Sequence, residues 1–517
     1  MTEGPVSVLG IDVGTTGCKG LLLGQDDRLF AISRYGYSLE FPRPGWVELD
    51  ASLVLDAVRQ VVSAATTEAN AVGDPLRAIA VSASGDEAVP VDDSGSILYP
   101  AIMSMDVRSL EEARSYVEQT GAERIYRITG LPMAPNWPLV RLIWLRHHEP
   151  GVYKQMAHFL AWEDLVLTWL GAEPVTDDSL AGRTMAFDIS ERRWSAELLE
   201  AADVDPHLFP PSESSGRVVG EVSATRLRDL GIREPVSLVT GGFDQAMAVL
   251  GAGMHRPGEG IVGTGTWEAL TVLVERPRAD NELLASGFTF GCHVVDGLFH
   301  AMATNPGGGS VASWALGALR VATAETEATL PTLDQALRTL PDGPSGLVAL
   351  AHLEGSYNPW MDPGSTGVIQ GLRLSTTPEQ IVKALLEAIT FELRENMTRL
   401  KSAGVAIDAL RATGGGARST AWLQLKADIL GVPVSTINVS EAGCLAAACL
   451  AATAIGRYGS VHEPIGELVR EAQRFEPRPD VHDAYAQPFA QYLHLYQAVR
   501  LEGFLSGGEC QQHSTSA

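Results

Sequence analysis

The sequence is short of basic charge. Across 517 residues, 38 Lys and Arg stand against 63 Asp and Glu, a net charge of −25. A basic footprint for nucleic acid is therefore missing, and a polyanionic ligand such as ATP needs a cation and local positive groups. Cysteine is scarce too: five residues, at 18, 292, 444, 449 and 510, with no Cys-x-x-Cys pair. That spacing supports neither a disulfide framework nor a zinc site and fits a reducing cytosol. Cys18, beside Thr15, Thr16 and Lys19, fits a small buried residue, with a reactive thiol as the other reading. No G-x-x-x-x-G-K-[ST] run occurs, which excludes a P-loop enzyme, and no strict G-x-G-x-x-G follows a strand, which argues against a dinucleotide fold. H-E-x-x-H is absent, and the His residues form no ligand pattern. The longest stretch of low polarity, Ala442 to Ile455, is shorter than the ~20 residues that span a bilayer and reads as a buried helix. Met-Thr-Glu-Gly-Pro at the start carries no signal-peptide character. The expectation is a cytoplasmic protein with no membrane or nucleic-acid partner; a homodimer is left open.

What the chain does have starts at its beginning. Hydrophobic residues at 45% and charged residues at 20% give a soluble globular profile, and the length implies two large domains. An apolar run, Val6 to Leu9, reads as a buried strand; Gly20 to Leu23 and the turn Gln25-Asp26-Asp27 follow. Between the runs lies Gly10-Ile11-Asp12-Val13-Gly14-Thr15-Thr16-Gly17-Cys18-Lys19, which predicts a hairpin with a polar tip. Gly14 lets backbone N–H groups approach a ligand, Thr15 and Thr16 add hydroxyls, and Lys19 adds charge, a set that suits an anion. Asp12 repels phosphate but suits Mg2+ held through water. An ordinary hairpin turn has a similar composition. Leu53 to Ala65 recurs at helical spacing, and Ala78 to Ser82 reads as a strand, so a mixed sheet covered by helices is expected. Val236 to Thr240 reads as a strand broken by Gly241-Gly242, with Asp244 near the N-cap of a helix. The second half repeats the logic: Gly260 to Val262 leads into Gly263-Thr264-Gly265-Thr266 and returns at Ala269 to Val274. Helices are expected over Pro378 to Ser402, from Ser419 or Thr420 to Leu430 after Gly414-Gly415-Gly416, from Glu441, and over about Ala484 to Leu505.

These stretches, in order from about residue 6 to about residue 455, resemble the FGGY carbohydrate kinases of the sugar kinase–actin–heat-shock ATPase superfamily. The likeness runs through Gly10 to Thr16, Pro44-Gly45-Trp46-Val47-Glu48, the Ser-x-Asp-x-Arg segment ending at Arg108, and Thr176-Asp177 to Asp188. It continues through Gly241 to Gln245, Gly263 to Thr266, Gly367 to Leu372, Gly414 to Asp428 and Glu441-Ala442-Gly443. The resemblance implies an α/β fold of two ribonuclease-H-like (actin-like ATPase) domains around a central cleft. Residues 1–252 would form the sugar side and 253–478 the ATP side; a helix within 479–505 would pack back on the first domain, and 506–517 would be a disordered tail. It implies ATP and Mg2+ as cofactors, with Asp12 as the magnesium-side carboxylate. Gly14, Thr15, Thr16 and Lys19 would form the first phosphate loop and Thr264, Gly265 and Thr266 the second. Gly308 and Gly309 would contact phosphate or ribose, and Gly415, Gly416, Arg418 and Ser419 adenosine. Asp106 and Arg108 resemble sugar-hydroxyl ligands, and Asp244 the catalytic base.

Phosphoryl transfer asks for alignment, charge neutralisation and exclusion of water, plus a carboxylate beside the acceptor hydroxyl. Asp244 fits that role and also fits a simple helix cap; Asp106 and Arg108 fit an ion pair as well. The implied activity is ATP-dependent phosphorylation of a small sugar or polyol. A non-catalytic nucleotide or sugar sensor on the same fold, or a chaperone-like ATPase, are the competing readings. Where xylulokinases carry Gly-Gln-Met-His-Gly, this chain has Ala83-Ser84-Gly85-Asp86-Glu87, and Trp267-Glu268 is closer to the L-fuculokinase branch. A carboxylate at Asp86, beside Asp106 and Asp244, accepts hydrogen bonds from neutral hydroxyls and disfavours an anion such as gluconate. The expected acceptor is a neutral ketose or polyol: a ketopentose such as xylulose or a deoxyhexulose such as fuculose first, then a tetritol, pentitol or glycerol. Asn136 and Trp137 are expected to line the pocket; a solvated loop at Asp86 and Glu87 is the plain alternative.

Overall fold

The computed structural model describes residues 6–323 and 333–501. Two mixed sheets organise it. In the first, Ser7–Gly14, Gly17–Leu23 and Leu29–Gly36 form an antiparallel meander, and Leu76–Ala83 and Ser237–Phe243 continue parallel to the first strand. In the second, Glu259–Thr264, Glu268–Val274 and Phe299–Asn305 form the meander, with Ala409–Thr413 and Val434–Ile437 parallel to Glu259–Thr264. The halves thus share one architecture without a visible residue repeat. The apolar alternation expected of half-exposed strands is replaced in Ser7–Gly14 by near-continuous burial, because helices cover both faces.

Helices follow local rules where these are strong. Ala51–Val72 starts at Asp50, whose carboxylate accepts from the Ser52 N–H, and stops at Gly73 in the left-handed region. Pro378–Ser402 opens with a capping box between Thr377 and Gln380. Ala442–Ala454 belongs to the second half of the chain yet packs on the first sheet and on the helix Asp244–Gly251. Alanine and glycine make this possible: a Cβ on Gly251 would sit 1.8 Å from the Ala442 carbonyl oxygen, and one on Gly10 would sit 1.9 Å from that of Cys444. This crossing helix joins the two domains and presses its start against the end of the strand that carries Asp12.

Two expectations are corrected. Gly241-Gly242 does not end its strand, which runs through to Phe243, but the pairing with Leu76–Ala83 shifts register between Val239 and Gly242. The missing side chains are what allow it, since a Cβ on Gly241 would lie 2.0 Å from the Val81 carbonyl oxygen of the neighbouring strand. The last helix, Ala486–Leu501, does not pack back on the first domain. Its Tyr492, Leu495 and Tyr496 join Leu350, Leu386 and Phe391 in the core of the second. The tail expected to be disordered, 506–517, lies outside the described residues. Among the described residues no helix is long and apolar enough to cross a membrane.

Candidate active site

Three neighbouring strands of the first sheet bring their carboxyl ends together: Asp12 near the end of one, Ser82 on the next, and Asp244 directly after Phe243 on the third. Asp12 accepts a hydrogen bond from the Ser82 hydroxyl at 2.9 Å. Lys19 lies 3.2 Å from Asp12 and 2.6 Å from Glu441 at the start of the crossing helix. Lys19, expected to meet phosphate, therefore ties two carboxylates together here. Thr15 is part-buried and Thr16 exposed at the hairpin tip; Arg34 donates to the Thr16 hydroxyl, and the Tyr37 hydroxyl donates to the Gly14 carbonyl.

Asp244 is the first residue of its helix, but Phe243 is the N-cap and no side chain caps this helix. The capping explanation is thereby removed: the Asp244 carboxylate has no hydrogen-bond partner among the described residues. Burial pushes its carboxyl up to about 8, and the charges of Asp12, Asp86 and Glu87 push the same way while Arg183 opposes them. The backbone leading to Asp244 is pinned: Gly241 N–H donates to Glu163 at 2.6 Å and Phe243 N–H to the Ser179 hydroxyl at 2.9 Å. Ser179 in turn is held by Asp177, which accepts from its N–H at 2.7 Å.

The acceptor side differs from expectation. The Arg108 side chain is fully buried: it meets Asp106 at 2.7 Å and Glu48 at 2.6 Å, and it lies 3.9 Å from the Trp46 ring centre. Asp106 also accepts from the Val47 N–H at 2.5 Å and the Arg108 N–H at 2.8 Å. The pair spends hydrogen-bonding capacity internally and fixes the segment that follows Trp46. Asp86 is part-exposed and held from two sides. One of its oxygens accepts two bonds from Arg183, at 3.1 and 2.7 Å, and the other accepts from Asn136 at 2.9 Å. Trp137 is buried and flanks Arg183, whose guanidinium sits 4.7 Å from that ring and 4.6 Å from Phe243. Gly85 makes room: a Cβ there would lie 2.7 Å from the Arg183 side chain and 2.8 Å from Phe243. Glu87 is not on a solvated loop but buried, accepting from Ser84 and from the Ser104 N–H at 3.0 Å, with burial raising its pKa. Sequence reasoning missed Arg183; nothing local marks a residue whose partner is 97 positions away.

On the second domain a cavity of about 530 Å³ gathers Thr264, Gly265, Gly309, Gly415, Gly416, Arg418 and Ser419 with Ala312, Ser313, Leu316 and Trp422. The sequence-derived adenosine and phosphate positions converge there. Thr264 supplies wall but not its hydroxyl, which donates inward to Glu268 at 2.8 Å; Glu268 is paired with buried Lys426. Gly308 lies behind the loop, against Trp267, and Thr266 is exposed, its carbonyl accepting from the Ser310 hydroxyl at 3.0 Å. Asp334, absent from the sequence reading, lines the same cavity and accepts from Ser419. For a metal, no group of three or more His, Cys, Asp or Glu side chains is assembled among the described residues. A single part-exposed carboxylate, Asp12, fits an ion that keeps most of its water, as Mg2+ does, and does not fit an all-protein cage.

The N-terminal-domain model of the FGGY family of carbohydrate kinases matches residues 7–251, and the C-terminal-domain model matches 260–455. The L-xylulose/3-keto-L-gulonate kinase of Escherichia coli is 27% identical over 96% of this chain and 97% of its own. The glycerol kinase of Oleidesulfovibrio alaskensis is 29% identical over 91% and 94%. The crystal structure of a xylulose kinase from Rhodospirillum rubrum superposes with a TM-score of 0.88 at 26% identity, covering 96% of this chain and 99% of that one. With both domains matched and the fold shared end to end, the chain belongs to the FGGY family of carbohydrate kinases, ATP-dependent phosphotransferases with an alcohol group as acceptor.

Proposed function

We propose that this enzyme transfers the γ-phosphoryl group of ATP to a hydroxyl of a neutral ketose, a ketopentose first, with Asp244 as the catalytic base. The observation that carries the proposal is the Asp244 carboxylate: it caps no helix, has no hydrogen-bond partner among the described residues, and lies near enough to Asp86 to feel its charge. An acceptor hydroxyl placed there gives its proton to Asp244 as the O–P bond forms, while Asp86 and Asn136 hold neighbouring hydroxyls. Residues 1–252 carry this half of the reaction in the proposal, and 253–478 hold the nucleotide through Gly265, Gly309, Gly415, Gly416, Arg418 and Ser419. Mg2+, held through water by Asp12, would supply neutralisation of phosphate charge. Thr15 and Thr16 offer hydroxyls and backbone N–H groups at the hairpin tip. Lys19 can leave Glu441 for a phosphate oxygen without leaving the neighbourhood of Asp12.

Asp86 no longer argues against anionic acceptors by repulsion, because Arg183 offsets its charge and Arg141, buried beside it, bonds the Asp86 and Met103 carbonyls. Neutral acceptors are favoured instead by hydrogen-bond chemistry: Asp86 presents acceptor lone pairs to sugar hydroxyls, and a carboxylate group set against it would bring no proton to share. The test is an ADP-release screen with ketopentoses, deoxyhexuloses, tetritols, pentitols, glycerol and gluconate, run on wild type and Asp86→Ala. A neutral ketose should give the highest kcat/KM and lose at least tenfold in the variant. Gluconate as the best acceptor, or an unchanged kcat/KM in Asp86→Ala, refutes the acceptor assignment.

A further inference from the structure

A second cavity is larger than the nucleotide pocket, about 710 against about 530 Å³, and falls in the size range of metabolite sites. Its walls are the helix Pro378–Ser402, the turn at 340–343, the helix Thr420–Leu430, the strand Glu471–Phe475 and the segment that follows it. Neither phosphoryl transfer nor acceptor binding uses any of these lining residues. The cavity stands back to back with the nucleotide pocket. Ser419 and Trp422 line the one, Thr420 and Ala421 the other, and Asp334 accepts from the hydroxyls of both Ser419 and Thr420.

The charges inside are unevenly satisfied. Arg478 is committed to Asp342 at 2.8 Å and Asp428 at 2.7 Å, so both carboxylates of the cavity already have a cation. Lys383 makes no ion pair at contact distance with a described residue, although the charge of Glu387, one helical turn along, acts on it. It is 5% exposed, and among the described residues its ammonium meets a single acceptor, the Pro341 carbonyl at 2.8 Å. An ammonium carries three donors, so two remain open toward the cavity at a site where burial disfavours its charge. Arg338 stands at the exposed mouth, gives one N–H to the Thr420 hydroxyl at 2.9 Å and lies 3.7 Å from Asp334. Two cations with spare donors, and carboxylates already paired, select an anion.

We propose that this cavity is an effector site for a small phosphomonoester or phosphate ion, held by Lys383 and Arg338, with Gln424 and Gln473 facing the rest of the ligand. Binding draws Arg338 away from Thr420 and so reaches the nucleotide pocket through Thr420, Asp334 and Ser419. The test is calorimetric titration of the full chain, its nucleotide pocket saturated with ADP, with inorganic phosphate and separately with ribose 5-phosphate. Single-site binding of at least one probe is expected, weakened tenfold or more in Lys383→Met and in Arg338→Ala. Binding of phosphate alone identifies the free ion as the ligand class; binding of ribose 5-phosphate identifies a phosphomonoester. The bound probe should also change the KM for ATP about fivefold or more in wild type and not in the variants, with kcat in its absence unchanged. Arg338 is largely exposed, so its variant decides the matter even if Lys383→Met does not fold. No heat with either probe, equal binding in wild type and variants, or binding without a change in KM overturns the proposal. Calorimetry needs no acceptor and no turnover, so this failure is distinct from failure of the kinase assignment.

Discussion

Replacing Asp244 by Asn should cripple catalysis and stabilise the fold at once. The amide keeps the shape of the carboxylate, and the helix start survives because Asp244 caps nothing. What disappears is the proton acceptor, so kcat should fall by roughly two or more orders of magnitude while acceptor binding largely persists. The stability change follows from linkage. The carboxyl sits at about 8 in the folded chain against 3.8 unfolded, so between those values the folded form holds a proton that the unfolded form has released. Stability of the wild type therefore falls as pH rises from about 4 to about 8, then levels. The full shift corresponds to an upper bound of about 6 kcal/mol, and water reaching this part-exposed group cuts it to about 1–3 kcal/mol. The amide of the Asp244→Asn variant does not titrate. The variant's melting temperature should exceed that of wild type, with a gap that widens from pH 5 to pH 8 and then holds. Steady-state kinetics and thermal melts over that range measure both effects. Near-wild-type turnover refutes the base; a gap that narrows toward pH 8 refutes the electrostatic account.

Three further outcomes are expected. With Asp244 as the proposed base, the free carboxylate is the active form, and with its pKa at about 8 kcat/KM should rise through neutral pH and flatten above 8; a profile flat from pH 6 to pH 9 contradicts this. Gly85→Ala places a Cβ 2.7 Å from Arg183 and 2.8 Å from Phe243, so it should lower kcat/KM for the acceptor at least tenfold while the KM for ATP holds; equal loss on both substrates would point to general misfolding. Gly251→Ala drives a Cβ to 1.8 Å from the backbone of the crossing helix at Ala442 and should cost about 2–4 kcal/mol in chemical denaturation; an unchanged midpoint contradicts the close packing of that helix.

What could be read from the sequence was what is local. The hairpin at Asp12 and the long helix Pro378–Ser402 follow from apolar runs, turn residues and periodicity. The glycine-rich turns around Gly265 and Gly415 were legible from their composition, and both line the cavity of about 530 Å³ on the second domain; the close backbone approach that needs glycine falls at Gly414 and Gly416, where a Cβ would lie 2.7 and 2.6 Å from Thr264. Elsewhere one local signal had two meanings. Gly241-Gly242 reads as a break, yet it serves close strand packing that only the neighbour at Val81 reveals. Asp106 and Arg108 read as ligands, but Glu48 and Trp46, distant in sequence, capture them as a buried pair. Arg183 and Asp334 have no local signature; their partners are set by the fold. The last helix was legible as a helix, but the surface it covers was not, because Tyr492 and Tyr496 would suit either core.

The most direct measurement is phosphorus NMR of the full chain with Mg2+, ATP and xylulose. The account predicts a new phosphomonoester resonance of a sugar phosphate, growing in step with ADP and absent when the ketose is withheld. ADP and inorganic phosphate appearing at the same rate with or without every acceptor of the screen would contradict it.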